Sequence, residues 1–217
     1  DKVYTKIVAK NAKINQADFV CVMRDEIGKK SVITKIEKKL GYPCFIKPAN
    51  AGSSVGITKA HNQEELVNGL KLAAEHDRKI LVEEFIDGRE VECAVLGTAE
   101  KAEASTIGEV LSAAEFYDYD AKYNNAESKT VIPAEIDEEI INGVRKVALK
   151  VFKAVDGSGL ARIDFFVENG TNRIVFNELN TLPGFTAISM YPKLWECAGK
   201  SIEELIDELI SLACCGK

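Results

Sequence analysis

Residues 176–185, FNELNTLPGF, set Glu178 and Asn180 two positions apart in a strand-like run that leads directly into a Pro183-Gly184 turn. Side chains alternate across a strand, so both project to one face as oxygen donors, the ligand type that hard divalent cations prefer. The spacing predicts Mg²⁺ chemistry. Upstream, Arg162-Ile163-Asp164 repeats the pattern, with a guanidinium and a carboxylate on one face and an apolar residue turned the other way. If the two strands pair, Asp164, Glu178, Asn180 and Arg162 converge. Either pair alone also suits the polar outer face of an amphipathic strand; the two pairs together, followed by the turn, favour a site.

The 217 residues are 46% hydrophobic with a formal net charge of -6. That is enough apolar material for one large domain or two small ones, without the basic excess of a nucleic-acid surface. No apolar run approaches the roughly 18 residues of a membrane span, and no signal-like segment opens the chain. Neither nucleic acid nor membrane is therefore expected as a partner. Cys21, Cys44, Cys93, Cys197, Cys214 and Cys215 lack C-x-x-C spacing and read as reduced thiols. His61 and His76 form no His/Cys ligand spacing with each other or with the cysteines, so they read as surface residues and zinc is not expected. The chain opens on Asp1 and turns helical almost at once, as a fragment of a longer protein would.

A helix is expected over 4–12, a strand over 18–23, and a helix over 31–40 that Gly41 and Pro43 stop. Strand 44–47, a glycine-serine loop at 51–54 and strand 55–59 follow. Asn62 with Glu65 three residues on has capping-box spacing, opening a helix whose Leu66, Leu70 and Ala73 face inward. After strand 80–85 comes an Asp87-Gly88 turn into strand 90–96, and the chain is expected to divide into 1–89 and 90–217. The second part holds a strand over 104–110, a polar stretch at 112–129 without period, an amphipathic helix over 137–155 and strands 159–167 and 173–180. Asn169-Gly170 reads as the hairpin turn between those strands, and a final helix follows Ser201. The expected fold class is α+β.

Three further stretches carry chemistry. FIKPANAGSSVGI (45–57) puts Lys47 at a strand end before small residues that include Ser53 and Ser54, a loop whose backbone N–H groups can approach phosphate. The Walker order is absent, and a hairpin turn with a salt-bridging lysine fits the same residues. LVEEFIDGREVE (81–92) alternates Glu83 and Phe85 with Glu84 and Ile86, which suits an adenine and ribose pocket in an interdomain cleft, or a strand with one solvated face. FYDYDAKYNNAESKT (116–130) suits a loop that closes over substrate with Lys122 and Tyr123, or a surface loop anchored by its tyrosines.

In order along the chain, KPANAGSSVG, EEFIDGRE, FYDYDAKY, ARIDFF and NELNTLPGFTAIS resemble the central and C-terminal domains of D-alanine:D-alanine ligases of the ATP-grasp superfamily. The resemblance implies an ATP-grasp fold of two α+β units enclosing a nucleotide cleft. It implies a cytoplasmic bacterial enzyme that joins two D-alanines through an acyl phosphate made from ATP, for peptidoglycan synthesis. ATP and two Mg²⁺ ions, or Mn²⁺ in their place, are the implied cofactors. Lys2 and Lys47 would contact phosphates, with Ser53 and Ser54 in the phosphate loop and Lys122 at the γ-phosphate. Glu83, Phe85 and Ile86 would line the adenine pocket and Glu90 would hold the ribose. Asp164, Glu178 and Asn180 would hold the cations, while Arg162 and the Gly184 N–H would face the oxyanion. Ser53 and Tyr123 would join a network near the first D-alanine, and Ser189 would take the carboxylate of the second.

Members of that family begin with a further domain that supplies a glutamate for the first D-alanine and much of a dimer surface. The resemblance therefore implies a fragment whose partner is that missing N-terminal domain, and a homodimer when complete. Two other readings remain open. One is a ligase with a different acceptor such as D-serine or D-lactate, Tyr123 after Lys122 favouring an amine. The other is a nucleotide-binding module without turnover.

Overall fold

The computed structural model describes residues 1–52, 54–111 and 129–215. They form two compact units, one comprising 1–4 and 17–86, the other 5–16, 87–111 and 130–215. The chain changes unit between Ile86 and Asp87, and α1 (Lys2–Asn11) contributes its first residues to one unit and the rest to the other.

In the first unit β1 (Phe19–Met23), β4 (Lys79–Glu84), β2 (Cys44–Pro48) and β3 (Thr58–Ala60) form an antiparallel sheet in that order. Strand parity sends Val20, Val22, Cys44, Ile46, Ile80 and Val82 to one face. There they meet Ile33 and Ile36 of α2 (Lys30–Lys39) and Leu66, Leu70 and Ala73 of α3 (Gln63–His76) in a single apolar cluster. The capping signal holds: Asn62 Oδ1 accepts from the Glu65 N–H at 3.0 Å, and Asn62 Nδ2 donates to Glu65 Oε1 at 2.7 Å. The expected strand over 55–59 is shorter because the preceding residues turn. Val55 N–H donates to Gly52 O, Ile57 N–H donates to Ser54 O, and Gly56 takes a φ of 70° that disfavours a side chain.

In the second unit the order is β7 (Lys129–Val131), β6 (Ala102–Leu111), β5 (Gly88–Thr98), β8 (Ser158–Glu168) and β9 (Ile174–Asn180). The amphipathic stripe of α4 (Glu138–Ala154), Val144, Ala148, Val151 and Phe152, covers one face, meeting Val91, Cys93, Val95, Ile163, Phe165 and Phe176. The β8–β9 turn is wider than a two-residue hairpin: Glu168 N–H donates to Arg173 O at 3.0 Å and Asn172 N–H to Glu168 O at 2.9 Å. Sequence periodicity does not reveal α5 (Met190–Cys197), whose Pro192 is tolerated because it lies in the first turn, where backbone N–H groups have no helical acceptor. This helix packs on the other sheet face, where a Cβ at Gly108 would lie 2.9 Å from Met190 Sδ, and Tyr191 Oη donates to Val95 O at 3.1 Å. The last helix, α6 (Ile202–Cys215), contacts α5 and strands β5 and β8. Among the described residues no helix is long and apolar enough to cross a membrane.

The decisive detail lies between β8 and β9. Asp164 pairs with Glu178, yet the next residue, Phe165, pairs with Phe176, so Asn177 is an extra residue in β9. This bulge reverses parity. Phe176 faces the apolar core with Phe165, while Glu178 and Asn180 face the opposite side with Asp164 and Arg162.

Two outcomes follow for stability and thiol chemistry. A Cβ at Gly69 would lie 2.4 Å from Thr58 Oγ1 and 3.1 Å from Ile46 Cδ1. Gly69→Ala gains about 1 kcal/mol of helix propensity but meets overpacking of about 1–3 kcal/mol, so the urea midpoint of the variant is expected to fall. Burial pushes the thiol of Cys44 up to about 11 and that of Cys93 up to about 12 from an ordinary 9.0. At pH 8 both should resist a thiol reagent until unfolding, whereas exposed Cys197 and Cys214 react in the native state. Because the folded-state values are raised, the associated stabilisation is full below pH 9.0 and is lost as the pH rises toward 11 and 12.

Candidate active site

The polar part of the second sheet's face opposite α4 is built by parity on three adjacent strands. β5 supplies Glu90 and Glu92, β8 supplies Arg162, Asp164 and Phe166, and β9 supplies Glu178 and Asn180. The register pairs Arg162 with Asn180 and Asp164 with Glu178, the convergence expected if the two strands paired. Arg162 donates from Nε to Asp164 Oδ1 and from Nη2 to Asp164 Oδ2, both at 2.8 Å, and Asn180 Nδ2 donates to the same Oδ2 at 3.0 Å. Burial by itself would lower the Arg162 pKa. The charges of Asp164, Glu92 and Glu178 outweigh it and hold the guanidinium above its ordinary value, so it remains a cation. Among the described residues no group of three or more His, Cys, Asp or Glu side chains is arranged to hold a metal ion; the candidate donors are two carboxylates and an amide.

The chain leaves β9 through 181–189 and enters α5. Thr186 N–H donates to Ser189 Oγ at 3.0 Å, the two hydroxyls lie 2.9 Å apart, and Ser189 N–H returns to Thr186 O at 2.9 Å. Gly184 sits against this knot, since a Cβ there would come within 2.7 Å of Ser189 Oγ. Only glycine leaves the turn and the Ser189 hydroxyl where they are.

In the first unit the sheet face opposite α2 and α3 carries Lys47, Glu83, Phe45 and Lys59, with Phe85 just beyond β4. Lys47 Nζ lies 2.7 Å from Glu83 Oε2, and both side chains are largely buried. Phe45 and Phe85 stand with centroids 6.1 Å apart, and Lys59 Nζ sits 4.2 Å above the Phe85 ring. Ile86 is buried beside them in sequence. The small-residue loop that follows β2 is tied down at its base. Lys2 N–H donates to Ala49 O at 2.9 Å, Lys2 Nζ to Ala51 O at 2.6 Å, and Asn50 donates twice to Asp77 Oδ2. Burial would raise the Asp77 pKa, but hydrogen bonds from the Lys79 backbone and from Asn50 outweigh it and lower the value. Ser54 holds a φ of 59°, an uncommon conformation for a residue with a side chain.

Ser53, Lys122 and Tyr123, and most of the stretch expected to close over substrate, lie outside the described residues. Sequence reasoning missed Glu92, Phe166 and Thr186. Parity was the available signal for the first two: Glu92 follows Glu90 by two, and Phe166 follows Asp164 by two.

A family model described as D-ala D-ala ligase C-terminus matches residues 8–211. The chain belongs to this family. It is 55% identical over 215 residues to a D-alanine--D-alanine ligase of Clostridium acetobutylicum and 55% identical over 215 residues to one of Acetivibrio thermocellus. Those alignments cover 98% of this chain but 62% and 57% of the two relatives, so the chain spans less than two thirds of their length. Among solved structures, the VanG D-Ala:D-Ser ligase from Enterococcus faecalis matches with a TM-score of 0.88 at 39% identity, covering 98% of this chain and 61% of that one. A D-alanine-D-alanine ligase from Coxiella burnetii matches with 0.83 at 32%, covering 98% and 56%. The expected ATP-grasp class, two α+β units each built on its own sheet, is the fold of these ligases.

Gly184→Ala tests the knot in the loop. The added methyl must displace Ser189, so the hydroxyl pair with Thr186 should be lost. A crystal structure of the variant in which Thr186 and Ser189 keep their contacts would show that the turn has slack.

Proposed function

We propose that this chain is the nucleotide- and cation-binding part of an ATP-dependent ligase that joins two D-alanines through a D-alanyl phosphate, supplying a peptidoglycan precursor in the cytoplasm. The observation that carries the reading is the cross-strand register of β8 and β9, which gathers Arg162, Asp164, Glu178 and Asn180 on one sheet face. The family relationship supports the substrate class.

Two carboxylates and an amide oxygen suit one or two hard divalent cations, Mg²⁺ or Mn²⁺. Such ions, when bound, neutralise phosphate oxygens and align the transferring group. The remaining work falls to the chain. In this reading Lys47 and Lys2 act as positive charges for the ATP phosphates, with Ser53, Ser54 and Lys122 beside them. Phe85, Ile86 and Glu83 hold the adenine and Glu90 the ribose. The γ-phosphoryl passes to a carboxylate oxygen of the first D-alanine and ADP leaves. The amine of the second D-alanine, whose carboxylate Ser189 holds, then attacks the carbonyl carbon. An oxyanion forms beside Arg162 and the Gly184 N–H; the C–O bond to phosphate breaks, and the amine gives up a proton within the network that includes Ser53 and Tyr123. Arg162 is suited to this because its carboxylate neighbours keep the buried guanidinium protonated. The complete protein is proposed to carry the further N-terminal domain and to act as a homodimer.

A D-serine acceptor is a second reading, favoured by the TM-score of 0.88 with the VanG D-Ala:D-Ser ligase. Phosphate release dependent on D-alanine or D-serine, measured on the complete protein, separates the two acceptors. Nucleotide binding without release for either would leave a binding module.

Two substitutions carry the expected magnitudes. Lys47→Ala should weaken Mg²⁺–ATP binding in calorimetry by at most about 4 kcal/mol, the attraction of unit charges about 4 Å apart at an effective dielectric near 20. Arg162→Ala should lower dipeptide formation by about 10² to 10³ while nucleotide affinity changes little, because the oxyanion it meets exists only after acyl-phosphate formation. Equal loss of nucleotide affinity would make Arg162 a phosphate ligand instead.

A further inference from the structure

Glu92, Asp164 and Glu178 stand in one row across β5, β8 and β9, each the register partner of the next. The neighbouring row is Ala94, Arg162 and Asn180. In these two rows three carboxylates face one guanidinium, and Glu90 adds a fourth carboxylate to the same face, so negative charge is in excess. Asp164 answers to two demands there. Both its oxygens are taken by Arg162, and Oδ2 also by Asn180, yet it is the carboxylate nearest the middle of the candidate donor set. A cation drawn to Asp164 repels the guanidinium and competes for the same lone pairs.

Glu92 is placed to resolve this conflict. Its side chain is 4% exposed, and Oε2 lies 3.0 Å from Arg162 Nε. The Nε–H itself is directed at Asp164 Oδ1, so the contact with Glu92 is a charge pairing off the N–H axis rather than a directed hydrogen bond. Both carboxylates thus already lie within 3.0 Å of the same nitrogen. The contact at 3.0 Å sets Glu92 with the guanidinium.

We infer that Glu92 is a positioning residue for Arg162: it takes over the Nε–H when Asp164 turns its oxygens to a divalent cation, and so keeps the guanidinium fixed on the sheet. This rests on Asp164 being a cation ligand, the reading given above. The geometry thereby separates two tasks that a lone Arg–Asp pair would have to share. Asp164 can serve the cation because Arg162 has a second carboxylate within reach.

The test follows the Arg162 Nε–H resonance in ¹⁵N-labelled protein, assigned through Arg162→Lys, during titration with Mg²⁺ alone and with Mg²⁺ and ADP. In the wild-type chain the signal should shift as its acceptor changes and stay protected from solvent exchange. In Glu92→Gln, which keeps the volume but weakens the acceptor, it should broaden or exchange at least about tenfold faster once Mg²⁺ and ADP are present. Glu92→Asp, which restores the charge on a shorter arm, should recover part of the protection. Identical behaviour of wild type and Glu92→Gln overturns the positioning role while leaving Asp164 as a ligand. If Mg²⁺ moves the signal in neither, and Asp164→Asn binds Mg²⁺ as tightly as wild type, the cation reading of Asp164 fails and the inference with it.

Discussion

One extra residue in β9 underlies the chemistry of the second unit. Asn177 has no counterpart in β8, and the shift it introduces lets Phe176 enter the apolar core while Glu178, two residues later, stands on the opposite face. In an unbroken strand those two side chains would share a face. Either an aromatic ring would then lie among the charges or a carboxylate would be buried under α4. The main chain at this point is also held from outside the hairpin, because Phe176 N–H donates to Asn15 O at 2.8 Å. The bulge is thus braced on both sides, by β8 and by the segment after α1.

The charges gathered on that face are poor material for stability. Removing an ion from water costs several kcal/mol even after relaxation, and apolar side chains of similar volume commonly do as well or better. Arg162, Asp164 and Glu92 are nevertheless nearly inaccessible, with relative exposures of 9%, 2% and 3%. The first unit repeats the situation in Lys47 and Glu83, whose charged atoms lie 2.7 Å apart on largely buried side chains. What such clusters supply is a fixed field. Excess negative charge on the second sheet suits a divalent cation.

Much of this was legible in the chain because the relevant rules are local. The pairing of Glu178 with Asn180, and of Arg162 with Asp164, rests on period-two alternation. The capping of α3 rests on Asn62 and Glu65, and the face of α4 rests on helical spacing. Where the reading fell short, local turns or tertiary packing had intervened. Strand β3 is clipped by two local turn bonds, Val55 N–H to Gly52 O and Ile57 N–H to Ser54 O. Helix α5 is short, carries a proline, and is held by packing on Gly108 that no periodicity announces.

The sequence by itself determined which residues could share a face within each strand, where the longer helices begin, and which family the motifs resemble. Tertiary structure decided which faces meet. Glu92 became a neighbour of Arg162 only through the register of β5 with β8, and Glu178 parted from Phe176 only through a bulge that the partner strand defines. Alternation belongs to a single strand, set by its own backbone geometry. Register and bulges belong to the pair, set by which hydrogen bonds two distant segments can close while burying their apolar sides together.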